Sequence, residues 1–159
     1  MKDKEKIKSL HENKKALFDY EVLRDYEAGI MLYGHEVKSV RKKMINLKGS
    51  YVTIRNWEAW LIGMHISPYQ SVGKKVRENI DSKAERKIFL HKKDIIYLAA
   101  KLKEKGFNVV PVEIYLRGSL VKVKIALGKS RKKFEKKQVL KERDLSREAS
   151  KVIKEKYYF

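Results

Sequence analysis

Glu27-Ala-Gly-Ile30, then Gly34-His-Glu-Val-Lys-Ser-Val-Arg41, then Asn46-Leu-Lys-Gly-Ser-Tyr51: along this stretch the hydrophobic period changes, and the change decides the fold class. Upstream and into its first part, Phe18, Tyr20, Val22, Tyr26, Ile30 and Leu32 supply β-formers at mostly two-residue spacing, which predicts one or two strands between Leu17 and Leu32. After Gly34, Val37, Val40, Arg41 and Met44 recur at helical spacing. A short helix follows, with Lys38, Arg41 and Lys42 flanking its apolar stripe. Alternation then returns over Ser50 to Ile54 and Ala59 to Ile66, and Arg55-Asn56-Trp57-Glu58 between them reads as a hairpin turn.

Outward from this stretch the same two periods recur. Tyr69 to Lys83 carries Gly, Ser, Asn, Lys and Arg without a period and reads as an exposed basic loop. Ile95, Ile96, Leu98, Ala99 and Leu102 mark a helix between Lys92 and Lys105, stopped by Gly106. Val109 to Leu116 and Leu120 to Leu127 alternate around Arg117-Gly118-Ser119, a second hairpin, in which Pro111 suits an edge strand or a strand's first residues. Residues 1–12 are lysine-rich and read as a flexible basic arm kept extended by charge repulsion. No internal repeat is visible.

The sum is mainly β with helices: a small oligonucleotide-binding (OB-like) β-barrel over residues 13–128, with two to three packed helices. The strand count alone also permits an open α+β sheet. Residues 129–159 hold twelve basic and five acidic residues, a net charge of +7, and too few apolar residues for a core. Leu145, Ala149, Val152 and Ile153 nevertheless fall at i, i+4, i+7 and i+8. This basic tail is expected to be disordered alone and helical once something covers that stripe.

The 159 residues include 39 Lys and Arg against 20 Asp and Glu, for a net charge of +19. Polyanions are the natural partners, and RNA is favoured because neutralised phosphates release condensed counterions. No run approaches a membrane span, and Met1 to Leu10 lacks the apolar core of a signal peptide, so no membrane role and a cytoplasmic location are expected. Without cysteine there is no disulfide, thiolate zinc site or cysteine nucleophile. His11, His35, His65 and His91 lie far apart with no helical metal-ligand spacing, which argues against a metal site. No Gly-x-Ser-x-Gly elbow and no phosphate-binding glycine loop is present. No cofactor is expected. The generic functional signal is basic residues interleaved with aromatics, since Lys and Arg neutralise phosphate while aromatic rings stack on splayed bases. Glu27 is an acid among strand residues in a very basic chain, suited to orienting Lys or Arg or accepting from ribose hydroxyls. Glu36 sits where a carboxylate complements a helix start.

The quoted stretch resembles the N-terminal half of the small protein B family of SsrA-binding proteins. The likeness continues in order through His65-Ile-Ser-Pro-Tyr69, Arg86-Lys-Ile-Phe-Leu-His-Lys92, Lys122-Val-Lys-Ile-Ala126 and Lys141-Glu-Arg-Asp144. It implies a non-catalytic protein that binds the tRNA-like domain of transfer-messenger RNA and delivers it to stalled ribosomes for trans-translation. Elongation factor Tu would join through the RNA, and alanyl-tRNA synthetase would act on the same RNA. The resemblance assigns RNA contact to Asn13, Lys14, Lys15, Glu27, Glu36, Lys38, Ser39, Arg41, Tyr51, His65, Tyr69, Arg86, Lys87, His91, Lys92, Lys122 and Lys124. It assigns the ribosomal decoding site and empty message channel to the tail, through Lys129, Arg131, Lys132, Lys133, Phe134, Glu135, Lys136, Lys137, Lys141, Arg143 and Arg147.

Several positions depart from the family pattern. Glu135, Lys136 and Lys137 stand where Asp, Lys and Arg are usual, and Lys137 lacks arginine's planar fork. Phe134 keeps a stacking face but no ring hydrogen bond. Ile80, Ser82 and Ala84 replace His, Pro and Arg, and Lys43 replaces a helix-ending glycine. Two other classes compete: a general structured-RNA-binding or ribosomal protein without preference for transfer-messenger RNA, and a small ribonuclease pairing His65 with Glu58 or Glu27.

Overall fold

Strand pairing begins earlier in the chain than the sequence suggests. A computed structural model describes residues 6–157; the expectations for residues 1–5 of the arm and 158–159 of the tail lie outside the described residues. Ile7–Glu12 forms strand β1, antiparallel to Phe107–Arg117, strand β8. The expected arm is therefore strand from Ile7 onward. Lys6 and Lys8 are exposed while Leu10 is buried, and backbone pairing with a segment about a hundred residues away overrides the local charge.

The expected strand over Leu17–Leu32 is likewise divided. Lys14–Asp19 is a short helix, α1, and only Tyr20–Ile30 is strand β2. Asn13 starts the helix: its Oδ1 accepts from the Ala16 N–H at 3.2 Å, satisfying a donor left over in the first turn. Gly34–Arg41 forms α2 as expected. Its end has the geometry that Lys43 makes unusual: Lys43 has φ 61°, the left-handed conformation glycine adopts freely. The Lys43 and Met44 N–H groups donate to the carbonyls of Val40 and Ser39, closing the helix.

Two two-residue strands, β3 (Ile45–Asn46) and β6 (His65–Ile66), pair with each other. Between them lies the hairpin of β4 (Tyr51–Arg55) and β5 (Glu58–Ile62). Its two-residue turn has positive φ at both Asn56 and Trp57, the arrangement that matches strand twist. The basic loop contains one helical turn, α3 (Lys74–Glu78), before β7 (Arg86–Phe89). Helix α4 (Lys92–Leu102) buries Leu98 against the core, and β8 then turns at Gly118 into β9 (Leu120–Ser130). Strand β9 runs two residues past the expected boundary at Gly128.

All pairings in the large sheet are antiparallel, and they return on themselves: β8 to β4, β5, β7, β2, β9 and back to β8, with β1 added along β8. Pro111 is neither in an edge strand nor at a strand's start. It lies inside β8, at a register shift between Pro111 and Glu113, where a missing N–H breaks no regular ladder. Its carbonyl instead accepts from Asn13 Nδ2 at 2.9 Å. Inside the circuit, Ala28, Leu61, Met64, Ile88, Ile114, Val123, Ile125 and Leu127 are fully buried, each large aliphatic contributing about 1.5–3 kcal/mol. A smaller cluster of Ala16, Val110, Val112 and Ala126 seats α1 on the outside of β8 and β9. Lys133–Tyr157 forms α5, a continuous helix in which Leu145, Val152 and Ile153 stay 65%, 60% and 55% exposed. The expected apolar stripe of the tail thus falls on one helix, exposed at Leu145, Val152 and Ile153.

Candidate nucleic-acid interface

Because β side chains alternate, burying Ala59, Leu61, Ile88, Ala28 and Val123 forces their neighbours outward. Trp60 lies opposite Lys87, Phe89 opposite Gly29, and Gly29 opposite Lys122. Lys122 in turn lies opposite Tyr115. Cation and ring contacts link these rows: the Arg55 guanidinium is 5.3 Å from the Trp60 ring centroid, and Lys87 Nζ is 5.7 Å from that of Phe89. Gly29 leaves an open position between them: a Cβ there would make only ordinary contact with Phe89 at 3.5 Å and Lys122 Nζ at 4.0 Å. The result is one outward face of alternating cations and aromatic rings, which offers phosphate neutralisation and stacking together.

Glu27 lies on this face, across from Lys124. Tyr115 donates its hydroxyl hydrogen to Glu27 Oε2, and Arg117 Nη2 approaches the same oxygen at 2.8 Å. Burial, reinforced by the Glu27 acceptor, pushes the Tyr115 hydroxyl well above the ordinary tyrosine range. Glu27 therefore holds Arg117 in place, the orienting role its residue type suggests. Lys124 also lies 3.7 Å from Glu113.

A second group gathers around α1 and α2. Lys14 and Lys15 are exposed on α1, and Lys15 lines a cleft of about 330 Å³ with Asp19, Tyr20, Ser50 and Tyr51. Lys38 and Lys42 both reach over the Tyr69 ring, at 5.6 and 5.1 Å. A Ser71 hydrogen bond, aided by the lysine charges, lowers the Tyr69 hydroxyl's pKa. Arg41 Nη2 donates to the Ser119 carbonyl at 3.3 Å and ties α2 to the β8–β9 turn. His65 is half-buried on β6, while His91 and Lys92 are exposed at the start of α4.

Four residues expected at the RNA surface are inside the fold. Asn13, Glu36, Ser39 and Arg86 are buried: the polar atoms of Asn13, Glu36 and Arg86 link elements, while the small Ser39 is enclosed with its hydroxyl unpaired. Asn13 Nδ2 donates to the carbonyls of Leu47 and Pro111 while its oxygen caps α1. Arg86 binds Glu36 and the carbonyls of Met64, Ala84 and Ser82. Asn13 still lines the cleft beside Lys15, and Glu36 a cavity beside Tyr33 and His35, but the hydrogen bonds of Asn13, Glu36 and Arg86 run within the fold.

The tail starts against α1. Arg131 donates its N–H to the Asp19 carbonyl at 2.9 Å and Nη1 to that of Phe18 at 3.5 Å. Glu135 Oε2 caps the helix by accepting from the Lys132 N–H at 3.1 Å. Lys129, Lys132, Lys133, Phe134, Lys137, Lys141, Arg143 and Arg147 are exposed along β9 and α5. Sequence reasoning missed Arg55, Trp60, Phe89, Tyr115, Arg117, Phe18 and Asp19. For Arg55, Trp60 and Phe89 the usable signal is parity: each shares its strand's outward register with Tyr51, Glu58 or Lys87, already singled out. Among the described residues no group of three or more His, Cys, Asp or Glu is arranged to hold a metal ion, and no helix is long and apolar enough to cross a membrane.

A family model described as SmpB protein matches residues 10–155. The chain is 46% identical over 144 residues to an SsrA-binding protein of Sulfurihydrogenibium sp., covering 91% of this chain and 93% of the relative. It is 41% identical over 155 residues to an SsrA-binding protein of Aquifex aeolicus, covering 97% of each. It is also similar to a solved chain described as "tmRNA-SmpB: a journey to the center of the bacterial ribosome". The TM-score is 0.63 at 38% identity, over 77% of this chain and 85% of that one.

Proposed function

This chain belongs to the SmpB protein family, and from that premise we propose how its parts divide the work. It binds SsrA, the transfer-messenger RNA, and acts with it on the ribosome in trans-translation. The six-strand circuit is an OB-like barrel whose outer surface grips the tRNA-like domain, and the observation that carries this reading is the outward face of Arg55, Trp60, Lys87, Phe89 and Lys122. Lys14, Lys15, Glu27, Lys38, Arg41, Tyr51, His65, Tyr69, His91, Lys92 and Lys124 contribute RNA contacts around it. Asn13, Glu36, Ser39 and Arg86 shape that surface from within.

The tail, residues 129–159, occupies the decoding site and the empty message channel, where its cations meet ribosomal phosphates. Elongation factor Tu joins through the shared RNA, and alanyl-tRNA synthetase charges it. The protein works in the cytoplasm and catalyses nothing.

The test is salt-dependent binding of the full chain to its own transfer-messenger RNA, competed with ordinary tRNA and unstructured RNA. Preference for the first that persists near physiological salt supports the reading. Equal affinity for all three, vanishing with salt, would leave a generic basic RNA binder.

A further inference from the structure

The turn between β4 and β5 carries a residue that its own backbone disfavours. A two-residue turn with positive φ at both positions is best served by asparagine followed by glycine. Here Asn56, at φ 50°, is followed by Trp57 at φ 60°, where a Cβ crowds the neighbouring carbonyl. Packing does not compensate for that strain. Trp57 is 67% exposed, and among the described residues no cation or second ring lies over its indole. Trp60, three residues on, shows the contrast, being half-buried with the Arg55 guanidinium laid over its ring. Arg55, Glu58 and Trp60 belong to the outward face, because Ala59 and Leu61 between and beyond them turn inward. The turn is the end of that face, with about 10 Å of strand between Trp57 and Trp60. Trp57 has no charge, and Arg55 at the foot of the turn is already paired with Glu85. The tip therefore extends the face by a ring and not by a charge, which suits a nucleobase better than a phosphate or a lipid headgroup.

We propose that Trp57 is a stacking finger whose exposed indole takes the face of an unpaired base in RNA seated on the outward face. The proposal rests on the reading that this face binds RNA. An unpaired base is required, since bases inside a duplex have both faces covered by their neighbours. Stacking tolerates any sequence, so the finger adds affinity and orientation without choosing a base. The magnitudes agree with this. Stacking on one aromatic side chain changes affinity about five- to 150-fold, whereas relieving one left-handed residue shifts the folding equilibrium about two- to fivefold. A strained tryptophan is thus kept at a net gain whenever RNA is bound.

Trp57 and Trp60 are the chain's two tryptophans, so Trp60→Phe, which keeps a ring beneath Arg55, makes Trp57 the sole indole emitter. In that full-length variant the emission should lose about half its intensity when transfer-messenger RNA or ribosomes are added, as expected for stacking on a base. Loss with the first alone puts the base in transfer-messenger RNA, and loss with the second alone puts it in ribosomal RNA. In the otherwise unchanged chain, Trp57→Gly should raise the thermal midpoint and yet weaken binding to the RNA so identified at least about fivefold, at an unchanged salt slope. Trp57→Phe should stay within about threefold of the parent, and Trp57→Leu should bind as weakly as Trp57→Gly. Stability and affinity moving in opposite directions is a signature that a merely structural residue would not give. Emission unaltered by either RNA would overturn the proposal, as would undiminished affinity in Trp57→Gly. Full function in Trp57→Leu would also overturn it, since an apolar protein pocket accepts leucine and a base does not stack on it. Ordinary tRNA that binds and quenches equally well would remove the preference for transfer-messenger RNA and leave the finger standing, and a silent Trp57 beside a clear preference would do the reverse.

Discussion

Arg86 and Glu36 meet inside the fold with Nη2 and Oε2 2.6 Å apart and side chains only 3% and 7% exposed. Every strong valence of the pair is used. Arg86 also donates to three carbonyls, and Glu36 Oε1 accepts from the Tyr33 N–H at 3.1 Å. One ion pair therefore joins the start of α2, the end of the basic loop and β7. Its chemistry resembles that of an RNA clamp, but its work is internal.

Removing one partner leaves the other charged and dry. Arg86→Ala is expected to cost about 3–5 kcal/mol, seen as a lower urea midpoint with an unchanged slope. Replacing both residues with leucine should recover part of that loss. RNA binding by the folded fraction of Arg86→Ala should keep its salt slope; a drop of about one unit would show instead that Arg86 reaches a phosphate.

His11 supplies a pH dependence. Its Nε2 accepts from the Leu47 N–H at 3.4 Å, and burial lowers its pKa from the usual 6.5. The neutral ring is favoured in the folded state, so its contribution is present above 6.5 and is lost as pH falls, because the unfolded chain takes up the proton first. Stability should decline between pH 7.5 and about pH 5.5, and His11→Gln, which keeps an acceptor, should flatten that decline. Parallel pH curves for both proteins would contradict this.

Two non-glycine residues carry strain that glycine would relieve. Lys43 has φ 61° after α2, and Trp57 has φ 60° at the hairpin tip while 67% exposed. Lys43→Gly and Trp57→Gly should each stabilise the protein by about 0.5–1 kcal/mol, and alanine at either site should not. Thermal denaturation of the four variants decides it.

On the outward face, charge and stacking should separate experimentally. Lys87→Gln and Lys122→Gln should each reduce the salt slope of RNA binding by about one unit. Phe89→Ala should weaken binding by about 1–3 kcal/mol at every salt concentration and leave the slope alone. A slope that falls with Phe89→Ala would mean the ring acts by placing Lys87 and not by stacking.

What could be read from the sequence was what is local. Helix α4 declared itself through Leu98 and its neighbours, and both hairpins through alternation around a short turn. Strand β1 did not, because Lys8 and its polar neighbours mask a single buried Leu10 and its partner β8 lies far along the chain. Helix α1 was hidden behind Phe18, Tyr20 and Val22, whose spacing is that of a strand, and the Asn13 cap that starts it shows only in the fold. The candidate surface divides in the same way. Lysines and tyrosines could be nominated by type, but whether Glu36 and Arg86 face water or each other depends on a contact spanning fifty positions. Parity could have added Trp60 and Phe89 once β5 and β7 were aligned, an alignment only the closed sheet supplies.

Closing the strand circuit also sets an order of events during synthesis. Strand β2 finishes at Ile30, yet its long partner β9 begins only at Leu120. Contacts so distant in sequence are paid for in loop entropy before they return anything, and folds built on them form slowly. Until β9 is made, β2 and β8 each keep an open edge, the kind of surface that recruits stray strands. A chain cut short before Leu120 can never close. This protein's own synthesis is thus unforgiving of the broken messages its family exists to clear.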